Sequence, residues 1–164
     1  MMRSFLLAAL FTLGALAIPP GLAPQAQAQS ARLIGLDEFP RTKLEIHSSR
    51  GKHEFDVWVA VTPDQQAQGL MFVRDLPPER GMLFTAKPPR VFTMWMKNTY
   101  IPLDMVFIGP DGRIAKIVER TTPHSRDLVS SDAPASAILE LKGGEAERRA
   151  LRVGDRVTWN APSG

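Results

Sequence analysis

The chain contains no cysteine. That excludes thiol catalysis, thiolate metal sites, disulfide staples and a lipid-modified cysteine behind a leader sequence. Three further signatures are missing: Gly-x-Ser-x-Gly, Gly-x-x-x-x-Gly-Lys and Gly-x-Gly-x-x-Gly. Their absence disfavours serine hydrolases, P-loop nucleotide hydrolases and Rossmann dehydrogenases. Charge of one sign is scarce: 20 Lys and Arg stand against 17 Asp and Glu, for a net charge of +3. No block of like charge occurs, so no nucleic-acid partner is expected. No internal repeat stands out. The longest apolar run, residues 5–18, is too short for a bilayer that needs about 20 residues, and Pro19-Pro20 follows it directly.

What that run does fit is a secretory signal. Arg3 supplies the positive start, residues 5–18 the apolar centre, and Ala26-Gln27-Ala28 the small-x-small cleavage site. Residues 1–28 are therefore expected to be removed before Gln29, which leaves 136 residues with a charge of +2. That length suits one domain with a real core. A leader and no cysteine point to a bacterial periplasm or to secretion, with no membrane attachment after cleavage. A monomer is expected.

Residues 29–40 read as a loose leader, and residues 41–160 as a single β-rich domain. Residues 43–47 alternate apolar and polar, residues 48–51 form a turn, and Phe55, Val57, Val59 and Val61 share one face of the next strand. Thr62-Pro63-Asp64-Gln65 opens a short helix with Thr62 as its N-cap, and Gly69 ends it. Residues 81–84, 91–96 and 103–108 read as strands, with Pro88-Pro89 a break. Gly109-Pro110-Asp111-Gly112 is a tight turn into residues 113–119. Residues 121–134 form a long polar connection of the kind that is often functional. A strand over 137–141, a short helix over 145–151 supported by a Glu145–Arg149 pair, and a last strand over 153–159 complete the chain. The expected class is mainly β (α+β): a small barrel-like or strongly bent antiparallel sheet with two short helices.

A set of short motifs runs through this domain. Gly69-Leu70-Met71 with Arg74 comes first, then Gly81-Met82-Leu83-Phe84. Trp95-Met96-Lys97-Asn98-Thr99, Pro102-Leu103-Asp104, and Leu139-Glu140-Leu141 with Gly143 follow. In order and spacing, from about residue 43 to 159, the chain resembles the family called domain of unknown function 192. The resemblance implies a small β-rich domain, frequently exported in bacteria, and brings no activity with it.

Met82, Leu83, Phe84, Met94 and Met96 are explained as packing. Arg74, Lys97, Asn98, Asp104 and Glu140 are harder to place in a core, and with Trp95 they are the candidate ligand-binding residues. Arg offers a planar fork to a carboxylate or phosphate, and Lys a point charge. Turn chemistry offers a second account: Asn98 tolerates left-handed backbone, and Asp104 can bond free backbone N–H groups. Glu140, between Leu139 and Leu141, can equally be the solvated face of a strand. No metal site is expected, since His47, His53 and His124 lack ligand spacing and Met94 and Met96 lack companions for copper. No cofactor is expected either.

The leading reading is a non-catalytic binding or accessory domain. Its groove, lined by Phe84, Trp95 and Met96, would hold a small-molecule, glycan or peptide ligand from the envelope. The runner-up is a hydrolase using Asp104 and Glu140 as a carboxylate pair. A third is a structural or protein-interaction module in which the same residues lock the turns.

Overall fold

The computed structural model describes residues 32–161. The expected signal segment, residues 1–28, lies outside the described residues. Nine strands and two short helices follow one another: β1 (Arg41–Ser48), β2 (Gly51–Ala60), α1 (Pro63–Gln68), β3 (Arg80–Arg90), β4 (Thr93–Met94), β5 (Leu103–Ile108), β6 (Ile114–Val118), β7 (Val129–Ser130), β8 (Ala135–Lys142), α2 (Glu145–Arg148) and β9 (Arg156–Trp159).

Seven strands form one sheet in the order β6-β5-β8-β3-β2-β1-β9, and β4 pairs with β7 in a separate ribbon. All neighbours in the large sheet are antiparallel except β2 and β3, which run parallel because α1 carries the chain back to the same end. The sheet curls until its outer strands touch: Arg113, just before β6, bridges to Arg156 of β9. The Ile114 N–H also donates to the Asp155 carbonyl at 2.9 Å. The result is the barrel-like sheet that the alternating patterns imply.

Alternation along each strand divides the apolar residues between the two faces. Leu44, Ile46, Phe55, Val57, Leu83, Val106, Ile108, Leu139, Leu141 and Val157 fill the inside of the curl. The opposite residues of the central strands, among them Met82, Phe84, Met105, Phe107 and Ile138, pack under a cover that includes Phe39, Leu70, Phe92 and Met96. The three middle strands β5, β8 and β3 are thus covered on both faces, which matters for every polar side chain they carry.

Local chemistry sets the cover. Thr62 Oγ1 accepts from the Gln65 N–H at 3.2 Å, while Gln65 Oε1 accepts from the Thr62 N–H at 3.2 Å. This reciprocal cap starts α1 where expected. Gly69 ends it at φ 51°, donating its N–H to the Gln65 carbonyl at 2.8 Å. The end of the segment expected to be loose is pinned: Gln68 brackets Ile34, accepting its N–H and donating to its carbonyl, both at 2.7 Å. Phe39, 3% exposed, is buried beneath it.

Two other differences have simple causes. β3 continues through Pro88-Pro89, but its register with β8 jumps from Thr85↔Ala137 to Arg90↔Ala135, because prolines have no N–H for the ladder. The strand expected over 91–96 shrinks to Thr93–Met94, whose partner β7 comes from the long polar connection. Met96 leaves the strand; its N–H donates to the Ser125 carbonyl at 3.0 Å.

Candidate functional site

Glu140 sits in the middle of β8 with Met82 of β3 and Met105 of β5 as its cross-strand neighbours. All three point to the outer face of the sheet. Its side chain is 4% exposed and makes no hydrogen bond or ion pair among the described residues. Burial, with no cation to offset it, pushes the carboxyl up from the ordinary 4.5 to about 8. At neutral pH it is therefore an uncharged acid with an O–H to donate.

Glu140 lines a cavity of about 270 Å³ whose wall also includes Leu70 and Met71 after α1, Phe84 of β3, Met94 of β4, Trp95 and Thr99. The wall follows from the backbone around it. Gly69 brings the end of α1 so close to β3 that a Cβ there would stand 3.2 Å from Phe84 Cζ. Gly81 lets β3 lie against β8, since a Cβ there would stand 2.6 Å from the Glu140 carbonyl oxygen. Of the polar residues in the wall, Gln68 is committed to Ile34, and Gln66 Nε2 donates to the Ala60 carbonyl at 3.3 Å. Among the described residues that line the cavity, Glu140 is the only ionisable one.

Asp104 has a different place. It pairs with Leu141 rather than Glu140, so the pleat turns the two carboxyl groups to opposite faces of the sheet. Asp104 is fully buried, and its oxygens accept backbone N–H groups of Arg120 (2.8 Å), Gly144 (2.9 and 3.0 Å) and Ala146 (2.8 Å). These donors tie the β8–α2 turn and the exit of β6 to β5. A carboxylate so completely satisfied is a structural clamp. The carboxylate-pair mechanism therefore has no geometric basis.

The remaining candidates split. Trp95, 46% exposed, forms part of the cavity wall with Glu140. Lys97 Nζ lies 5.2 Å from the centroid of the Trp95 ring, and Asn98 Nδ2 reaches the Met71 sulfur at 3.9 Å. Both thus act one contact behind the wall. Asn98 also has φ 58°, the left-handed geometry anticipated for a turn. Arg74 belongs elsewhere, with its guanidinium 4.7 Å from the Tyr100 centroid in a stack that includes His124. Met96 is 2% exposed, and its sulfur accepts the Thr121 hydroxyl at 3.1 Å, so it is core rather than groove. A larger, more open concavity of about 600 Å³ along residues 37–43 is lined by Asp56, but there Arg41, Lys43 and Arg80 surround that carboxylate.

The DUF192 family profile, described as an uncharacterized ACR, matches residues 45–159. The chain belongs to this family. Two crystal structures share the fold of this DUF192 domain. A protein of unknown function from Novosphingobium aromaticivorans is 34% identical, with a TM-score of 0.74 over 85% of this chain and 99% of that one. A protein from Sinorhizobium meliloti, described as a candidate transcription regulator, is 40% identical, with a TM-score of 0.71 over 74% of this chain and 95% of that one. No curated protein matches the chain.

The motifs by which the DUF192 domain is recognised acquire physical roles here. Gly69, Gly81 and Gly143 permit close backbone approaches, Asp104 clamps three segments, and Glu140 closes the cavity. Sequence reasoning missed Met71, Met94 and Thr99 as wall residues, because they come from two segments, 66–71 and 93–99, that meet only in the fold. Among the described residues no group of three or more His, Cys, Asp or Glu could hold a metal ion. Among the same residues no helix is long and apolar enough to cross a membrane.

Proposed function

We propose that this DUF192 domain is an exported, non-catalytic binding protein, monomeric and unattached to the membrane once its leader is removed. Its site is the cavity between Trp95, Phe84 and Glu140. One observation carries the reading: the carboxyl group of a buried glutamate, without a hydrogen-bonding partner among the described residues, in the wall of a cavity open to solvent. Burying an acid this way costs stability, and a purely structural position would carry a hydrophobic residue instead. Among the described residues no second ionisable group lines the cavity, which favours binding over acid–base catalysis. The modest +2 charge expected of the mature chain argues against a nucleic-acid partner. Envelope-derived small molecules, glycan fragments or peptide fragments are the candidate ligands, on the strength of the leader in residues 1–28.

Two measurements test this. The protein recovered from the periplasm of a bacterial host is expected to begin at Gln29. Spectra of the mature domain with 13C-methyl methionine are expected to show Met71 and Met94 shifting when a small-molecule extract of the cell envelope is added. Retention of residues 1–28 in the cytoplasm would sink the export part. An extract that leaves Met71 and Met94 unmoved would sink the binding part.

A further inference from the structure

We infer that the cavity takes the cationic head of an ammonium compound, with Glu140 as its counter-ion and Trp95 and Phe84 in its wall. This rests on the binding function proposed above and names the chemistry of the ligand. Among the described residues the cavity wall contains one acid and no base: Glu140 is joined by apolar residues, two thioethers, two aromatic rings and uncharged polar groups. The Gln66 and Gln68 amides are already hydrogen-bonded to backbone. An anion would meet neither a cation nor a free amide there, and its presence would raise the cost of ionising Glu140. A cation reverses that cost, because it supplies the missing partner inside the low-dielectric site. Aromatic side chains and polarizable sulfur complete the surroundings that a methylated ammonium group prefers.

The charged residues on the elements around Glu140 all lie outside the cavity wall. Asp64 is exposed in the first turn of α1. On β3, Arg80 stacks over Trp58 and Arg90 over Phe92, while Lys87 is exposed. Asp104 of β5 points to the other face, and Lys142 of β8 reaches out to Asp75 at 3.3 Å. Lys97 stands on the Trp95 ring. Glu140 therefore changes charge alone, and a bound cation should expel its proton.

The test uses benzyltrimethylammonium, which carries no titratable proton, on the mature domain with 13C-methyl methionine. Met71 and Met94 are expected to shift, and binding to tighten about 50-fold between pH 6 and pH 8 as Glu140 gives up its proton. Glu140→Gln should weaken binding at pH 8 by at least about tenfold and erase the pH dependence. Lys97→Ala should tighten it about twofold by removing a like charge. Benzyl alcohol and benzoate serve as the neutral and anionic controls. If either control moves the same methyls more strongly than the quaternary ion, the ligand is not a cation, although the binding reading stands. If the envelope extract shifts Met71 and Met94 while the quaternary ion does not, the inference fails by itself. If neither the extract nor any probe moves them, both fail.

Discussion

Replacing Glu140 by Gln should make the domain more stable, and by an amount that depends on pH. In the folded chain the carboxyl keeps its proton up to about pH 8, whereas in the unfolded chain it loses it near the ordinary 4.5. Between those values the unfolded state binds fewer protons, so stability must fall as pH rises. The slope is about 1.4 kcal/mol per pH unit, flat below 4.5 and flat again above 8. Across the whole interval the loss is about 5 kcal/mol, and about 3 kcal/mol of it has gone by pH 7. Against a typical domain stability of about 5–15 kcal/mol that is a large fraction. Gln keeps nearly the same shape and stays neutral, so the variant should lack this slope. The difference between variant and parent should grow by about 4 kcal/mol from pH 5 to pH 8. Urea unfolding followed by tryptophan fluorescence at several pH values measures it. His53, whose pKa is lowered by burial and by Arg149, is common to both proteins and cancels. Parallel profiles for the two proteins would refute the argument, since they would mean that Glu140 is already ionised and partnered.

Other substitutions separate structural from functional residues. Asp104→Ala leaves four backbone hydrogen bonds without their acceptor and should cost about 3–5 kcal/mol, visible as a drop of at least 10 °C or so in Tm. Lys97→Ala removes a half-buried cation that lies over the Trp95 ring, and should change unfolding free energy by less than about 1 kcal/mol. Equal losses for the two would contradict the roles assigned here. Gly81→Ala pushes a methyl group against the Glu140 carbonyl, and should destabilise the β3–β8 pair by about 1–3 kcal/mol or more. Faster amide exchange along β8 is the expected signature, and unchanged exchange would argue against the close approach.

Short-range chemistry was legible in the sequence. The alternation that buries Leu44 and Ile46, the cap at Thr62, the stop at Gly69 and the Glu145–Arg149 pair (3.1 Å) all depend on neighbours within a few residues. What depends on register was not. Asp104 and Glu140 look like partners in a list of polar residues, but a one-residue difference in pairing decides which face each takes, and no local signal carries it. Likewise Leu139-Glu140-Leu141 fits a solvated strand face or a buried functional acid equally well. The difference lies in β8 being a central strand with both faces covered. The parallel pairing of β2 with β3 was also hidden, since it needs the path of the chain through α1 and residues 69–79. Trp95 and Glu140 stand out in the sequence, yet the wall that joins them comes from segments that meet only in the fold.

The meeting of β6 and β9 at Arg113 and Arg156 has a bearing on how the protein survives in solution. An open sheet ends in two rows of unpaired N–H and C=O groups, which are templates for joining another chain. Here the outermost strands are only five and four residues long, and part of each row is used to bond the other across the seam. Two arginines sit at that seam, and Lys116 stands in the middle of β6. A domain with no disulfide to hold it shut has thereby little exposed strand edge to offer a second copy. What closes that edge is the curl of the sheet rather than a covalent bond.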